Sequence, residues 1–119
     1  TGGVYDPASD TWSPTATTSA PSPRRPLAAI WTGNLLLVWG GAADGSGGVY
    51  DPGSDSWRPT SLGTYVPEPR SAASSVWTGV EMIVWGGNGG GVLLNDGGRY
   101  RPETDTWTPV PAAPLAPRE

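Results

Sequence analysis

The chain has 119 residues, one domain by length, with a formal charge of −4 and 15% charged residues against about 25% in an average globular chain. It contains no Cys and no His, which excludes disulfides, thiolate metal sites, cysteine nucleophiles and imidazole chemistry. All seven basic residues are Arg, and an acidic chain without a basic patch is a poor partner for nucleic acid. The 18 Gly and 14 Pro would favour disorder, but seven Trp and four Tyr oppose it, so the composition reads as short strands joined by tight turns. The longest wholly apolar runs, Leu27–Trp31 and Leu35–Trp39, are too short to span a membrane as helices.

In chain order, the first element is Gly-Gly-Val-Tyr-Asp-Pro at residues 2–7, with Trp12 seven residues after its Tyr. The same hexapeptide returns at 47–52 with Trp57, and as Gly-Gly-Arg-Tyr-Arg-Pro at 97–102 with Trp107. Each reads as a strand, a Pro- and Asp-stabilised tight turn and a second strand. Asp6, Asp10, Asp51, Asp55 and Asp105 read as turn caps. Arg24 and Arg70 open two matched segments that run through Ala- and Ser-rich residues to Trp31 and Trp77, and Arg118 falls where a third would begin. Thr-Gly follows, with Gly33 and Gly79 suited to a hairpin turn at positive φ. The next strands, 35–39 and 81–85, are apolar at successive positions, as expected of strands covered on both faces. Gly-Gly and a variable loop come next, 42–46 in one copy and 88–96 in the other. There, Asn88–Gly91 reads as a flexible loop, while Val92-Leu93-Leu94 is open between loop and strand. Pro-rich stretches 13–23, 58–69 and 108–117 link the units.

Four short strands per unit of about 45 residues are the mark of a propeller blade. The double glycines Gly40-Gly41 and Gly86-Gly87, then Tyr50 and Tyr100, then Trp57 and Trp107, resemble the kelch repeat. The recurring Trp-Thr-Gly and Val-Trp-Gly-Gly are similar to its bacterial, Trp-rich form. The resemblance implies an all-β fold of kelch-type β-propeller blades, each a four-stranded antiparallel sheet. In family order, residues 1–22 supply an outer half-blade, strands three and four. Residues 23–69 supply a complete blade, and 70–119 another with the start of the next linker. Ten strands make two and a half blades, an incomplete ring, since propellers close with about four to eight. A segment of a longer propeller, a domain completed by another chain and an open or swapped assembly all fit that count.

The function expected is a non-catalytic protein-interaction or scaffold module, contributing blades to a larger or oligomeric propeller. No nucleophile–base pair is evident, and no cofactor and no metal site are expected. The expected partner is a protein, or further copies of the chain. The alternative is a carbohydrate-binding or sugar-active segment of the mutarotase-like kind, using Arg and acidic residues. The candidate ligand-binding residues are Arg24, Arg70, Arg118, Trp31, Trp77 and Glu81. By resemblance, the arginines near strand one reach a pocket mouth; the competing reading is that each ties one unit to the next through carbonyls or an Asp. Recurrence of all seven Trp favours packing between blades, with partial exposure expected first at Trp31 and Trp77, beside a hairpin turn. Glu81 stands where the earlier unit has Leu35, and Arg99 and Arg101 read as solvated. A bacterial source and an extracytoplasmic or surface location are expectations from the repeat subtype, the Arg-only basic set and the Thr- and Trp-rich character.

Overall fold

The computed structural model describes residues 2–114 and 116–118. Thr1, Leu115 and Glu119, which fall within the expected units 1–22 and 70–119, lie outside the described residues. The fold is all-β and repetitive. Strands β1 (Gly3–Asp6) and β2 (Thr11–Pro14) form a hairpin. Strands β3 (Ala28–Trp31), β4 (Leu36–Trp39), β5 (Gly47–Asp51) and β6 (Ser56–Pro59) form a four-stranded antiparallel sheet in chain order. Strands β7 (Ser74–Trp77), β8 (Met82–Trp85), β11 (Gly97–Arg101) and β12 (Thr106–Val110) form a second sheet of the same topology. Between β8 and β11 the longer loop folds into a small hairpin of its own, β9 (Asn88–Gly89) and β10 (Val92–Leu93).

That last hairpin corrects one expectation and decides one alternative left open. Asn88–Gly91 is not a loose loop: Gly90 and Gly91 turn at φ 61° and 90°, and the Gly91 amide donates to Asn88 Oδ1 at 2.8 Å. Val92 and Leu93 pair back on it rather than starting the third strand. The Thr-Gly turns behave as their residues dictate. Gly33 and Gly79 sit at φ 110° and 100°, and the Thr32 and Thr78 hydroxyls accept amides from Leu35 and Glu81 at 3.0 Å each.

The seven-residue Tyr–Trp spacing has a geometric cause. The turn places the two rings directly opposite on paired strands, with centroids 5.2, 5.0 and 5.1 Å apart for Tyr5–Trp12, Tyr50–Trp57 and Tyr100–Trp107. Such tilted aromatic pairs, with planes 39–44° apart, add about 0.5–1.5 kcal/mol beyond area burial. The turn ends on an Asp with left-handed backbone, φ 52°, 48° and 52° at Asp10, Asp55 and Asp105, which Asp tolerates better than most residues. Its carboxylate accepts from the Tyr hydroxyl at 2.7, 2.7 and 2.6 Å in the three copies. Asp6 and Asp51 are local caps, accepting the Ala8 and Gly53 amides. Asp55 and Asp105 also reach back to the preceding linker, accepting the amides of Ala16 and Ser61 at 2.9 Å each.

The core lies between the two sheets. Leu37, Trp39 and Val49 of the first meet Met82, Val84, Tyr100 and Trp107 of the second, and all are buried. Trp39 and Trp107 sit with ring centroids 5.3 Å apart across the interface. Pro67, on the linker, presses against Gly98, where a Cβ would meet the Pro67 ring at 2.6 Å. Pro21 and Gly48 repeat that contact one unit earlier, with a Cβ distance of 2.5 Å. The innermost strands β3 and β7 lie beside each other. The described strands do not close a ring: the molecule extends 50 Å along one axis and 27 and 24 Å along the others.

The Tyr100 hydroxyl is pushed above its ordinary pKa of 10, first by burial and then by its bond to Asp105. The folded chain therefore holds this proton more tightly than the unfolded chain. The resulting stabilisation is complete below pH 10, the unfolded value, and declines as the pH rises toward the folded one. Urea midpoints measured across the alkaline range are expected to fall above that point, and Tyr100→Phe to reduce the slope.

Candidate functional site

Arg24, Arg70 and Arg118 share one posture: each donates its Nε to the carbonyl two residues earlier, Ser22, Glu68 and Ala116, at 3.0, 3.1 and 3.4 Å. The first two then reach the residue just before the third strand of their own sheet. Arg24 donates to Ser46 O at 2.8 Å and Ser46 Oγ at 3.0 Å. Arg70 donates to Gly86 O, Asp96 O and Asp96 Oδ1, each at 3.0 Å, with its side chain 1% exposed. These guanidinium groups close the loop between strands two and three of one sheet. Arg118 lies against the β9–β10 hairpin, its amide donating to Leu94 O at 3.2 Å and its carbonyl accepting from Gly87 at 2.8 Å.

The other candidates are dispersed. Trp31 and Trp77 end the two innermost strands; Trp31 is exposed and Trp77 half-buried. Glu81 precedes β8 and lies between Arg99 and Arg101, at 3.7 and 3.3 Å. These two arginines are thus paired rather than simply solvated. In the first sheet the places of Glu81 and Arg99 are held by Leu35 and Val49, which pack against or within the core. The outward face of the second sheet therefore carries an ion pair where the matching face of the first is apolar. Among the described residues, no group of three or more Asp or Glu is placed to hold a metal ion.

A concavity lies elsewhere, between the β1–β2 hairpin and the first sheet. It is a cleft of about 530 Å³. Leu36, Val38, Tyr50 and Trp57 form one wall; Gly3, Val4 and Ala16 are on the other, and Arg24 and Trp31 also line it. The two apolar faces of 35–39 explain the unbroken apolar run. Leu37 and Trp39 point into the core, while Leu36 and Val38 line the cleft and are only half-buried.

Two further residues escaped sequence reasoning. Arg58 clamps the sheets together, donating to Tyr100 Oη at 3.2 Å and to Pro102 O at 2.7 Å, with Asp105 at 3.7 Å. It does not recur, so the repeat did not flag it. Trp12 is 71% exposed, more than Trp31 at 55%, although Trp107 at the same repeat position is 4% exposed. Its recurrence identified a packing position but not whether a neighbour covers it. Among the described residues no helix is long and apolar enough to cross a membrane. No family model matches the chain, and no curated protein matches it.

Proposed function

We propose that the chain is a kelch-type propeller segment acting as a non-catalytic interaction or scaffold module, which contributes sheets to a larger or oligomeric ring. The observation that carries this reading is the contrast between equivalent residues. Trp107 and Tyr100 are 4% and 0% exposed where a neighbouring sheet covers them, whereas Trp12 and Tyr5 are 71% and 43% exposed. The hairpin thus presents to solvent the surface that elsewhere in the same molecule forms a sheet–sheet interface. Large exposed aromatic surface of that kind marks an interaction site. The double glycines, the Tyr–Trp pairs and the four-strand units support the kelch assignment.

The sugar-binding reading has less support, because Arg24 and Arg70 are engaged in their own loops; the exposed indole of Trp31 is what favours it. Light scattering across a concentration series tests the proposal. A discrete assembly that weakens with Trp12→Ala is the expected result. A stable folded monomer at all concentrations, with no protein partner recovered and saturable sugar binding lost in Trp31→Ala, would replace the module reading with its rival.

A further inference from the structure

We infer that the exposed loop 62–65, on the linker between the two four-stranded sheets, binds a protein segment that presents an Arg or Lys beside an apolar side chain. This surface is separate from the aromatic face of the β1–β2 hairpin, so the inference goes beyond the assembly reading and does not depend on it.

The linkers 12–24 and 57–70 run from a recurring Trp to a recurring Arg with their Pro residues in matching places, but the second is one residue longer. Hydrogen bonds locate the extra residue. The Ala16 and Ser61 amides correspond, held by Asp55 and Asp105. So do the turns in which the Ala20 amide donates to Thr17 O at 3.1 Å and the Val66 amide to Gly63 O at 3.5 Å. The insertion is therefore Leu62. Tyr65 then stands where the first linker has Ser19, and Glu68 where it has Ser22. Leu62 and Tyr65 are 57% and 63% exposed. What recurs in every unit serves the fold; an inserted leucine and a single aromatic ring turned to solvent do not recur.

The backbone carries a cost at the same place. Tyr65 lies in the left-handed region at φ 67°, as Ser19 does at 59°, and a bulky side chain is rare there. Strain of this kind collects at binding sites, where it is offset by the surrounding structure. Here the loop is pinned at both ends. The Ser61 amide donates to Asp105 at 2.9 Å, and the Ser61 carbonyl accepts from Trp107 Nε1 at 3.1 Å. Val66 packs against the core, and the buried Pro67 ring presses on Gly98. Leu62 and Tyr65 are thus displayed from a fixed bracket, which lowers the ordering cost of binding.

The charges beside the loop select the occupant. Glu68 is exposed, three residues after Tyr65. Gly45 lies against the same linker, where a Cβ would meet Pro67 O at 3.4 Å and Val66 Cγ2 at 3.7 Å, and this brings the exposed Asp44 alongside. Hydrogen bonds from Ser46 hold the Asp44 carboxyl below its ordinary pKa, so it is charged at neutral pH. Arg70 offers no counter-charge to a ligand, being 1% exposed and bound to Gly86 O and Asp96. Arg25 is exposed at the other end of the Asp44 loop, its carbonyl against Gly41, so carboxylates outnumber cations here. A cationic side chain can lie on the Tyr65 ring with its charge met by these carboxylates. Its apolar neighbour covers Leu62, which a sugar would leave bare.

The probe is a displayed library of random peptides, panned against the full chain and counter-selected on its Tyr65→Ser variant, which restores the side chain of the first linker. Enriched peptides are expected to carry Arg or Lys next to an apolar residue. A synthetic copy of one should shift the amides of residues 62–66 in NMR titration and bind more weakly as salt rises. Leu62→Ser and Tyr65→Asn should each weaken it at least tenfold. Tyr65→Asn should melt no earlier than the parent chain, because Asn tolerates the left-handed backbone and the ring serves binding rather than the fold. Earlier melting would mean a structural ring and overturn the inference. So would enrichment of acidic peptides, binding indifferent to Tyr65, or no enrichment at all. Tyr65-dependent binding on a glycan array without peptide enrichment would give the surface to sugars instead. None of these results bears on whether Trp12 mediates assembly, which light scattering reads separately.

Discussion

Trp39→Ala is expected to lower the unfolding free energy by about 3–5 kcal/mol, the range for emptying a large aromatic site in a core. The side chain is 0% exposed, packs at a tilt against Trp107 and donates its indole N–H to Gly45 O at 2.8 Å. Removing it opens a void at the centre of the sheet–sheet interface and leaves a carbonyl unpaired. A domain of this size has only about 5–15 kcal/mol of net stability, so the variant should be partly unfolded at room temperature or melt far earlier. Trp12→Ala is the matched control at another recurring Trp. It removes a ring that touches Tyr5 and solvent, so the loss should stay below about 1 kcal/mol. Urea denaturation of both variants at one protein concentration checks the contrast. Equal costs would mean that the position in the repeat, not its neighbour, sets the energetics.

Arg70→Ala should cost about 2–3 kcal/mol, against about 1 kcal/mol or less for Arg24→Ala. The two residues hold the same repeat position and the same posture, so sequence alone predicts equal effects. The difference comes from burial. The Arg70 side chain is 1% exposed and donates to Gly86 O, which loses this donor in the variant, and to Asp96 O, which keeps the Gly86 amide at 2.9 Å. The Asp96 carboxylate is about half exposed and stays hydrated, so most of the penalty comes from the buried Gly86 carbonyl and the lost packing of the Arg70 side chain. Arg24 is only partly buried, and water can replace its bonds to Ser46. Thermal melts of the two variants, with amide exchange read at Asp96–Gly98, report both the cost and its location. A larger loss at Arg24 would contradict this account.

Much of the architecture was legible because it repeats. The Tyr–Trp spacing, the Thr-Gly turns and the double glycines are local devices whose geometry depends on a few neighbouring residues. Each was therefore readable three, two and two times over. The β9–β10 hairpin was missed because its four-residue turn has no second copy to compare with, and consecutive glycines read as looseness until an Asn side chain closes the turn. The Glu81–Arg99–Arg101 cluster was missed because residues 18 and 20 positions apart meet only through cross-strand register. Arg58 reaches the next unit altogether, 42 residues on, to Tyr100.

By itself, the sequence determined the strands of the repeated units, their turns and their grouping into antiparallel sheets, since those follow from φ preferences, cross-strand pairs and period. The tertiary structure alone decided which of two chemically identical faces is covered. Leu36 and Leu37 are adjacent leucines on one strand, yet one lines an open cleft and the other is fully buried in the core. Burial belongs to the pair of surfaces that meet, and no single repeat encodes its neighbour's presence.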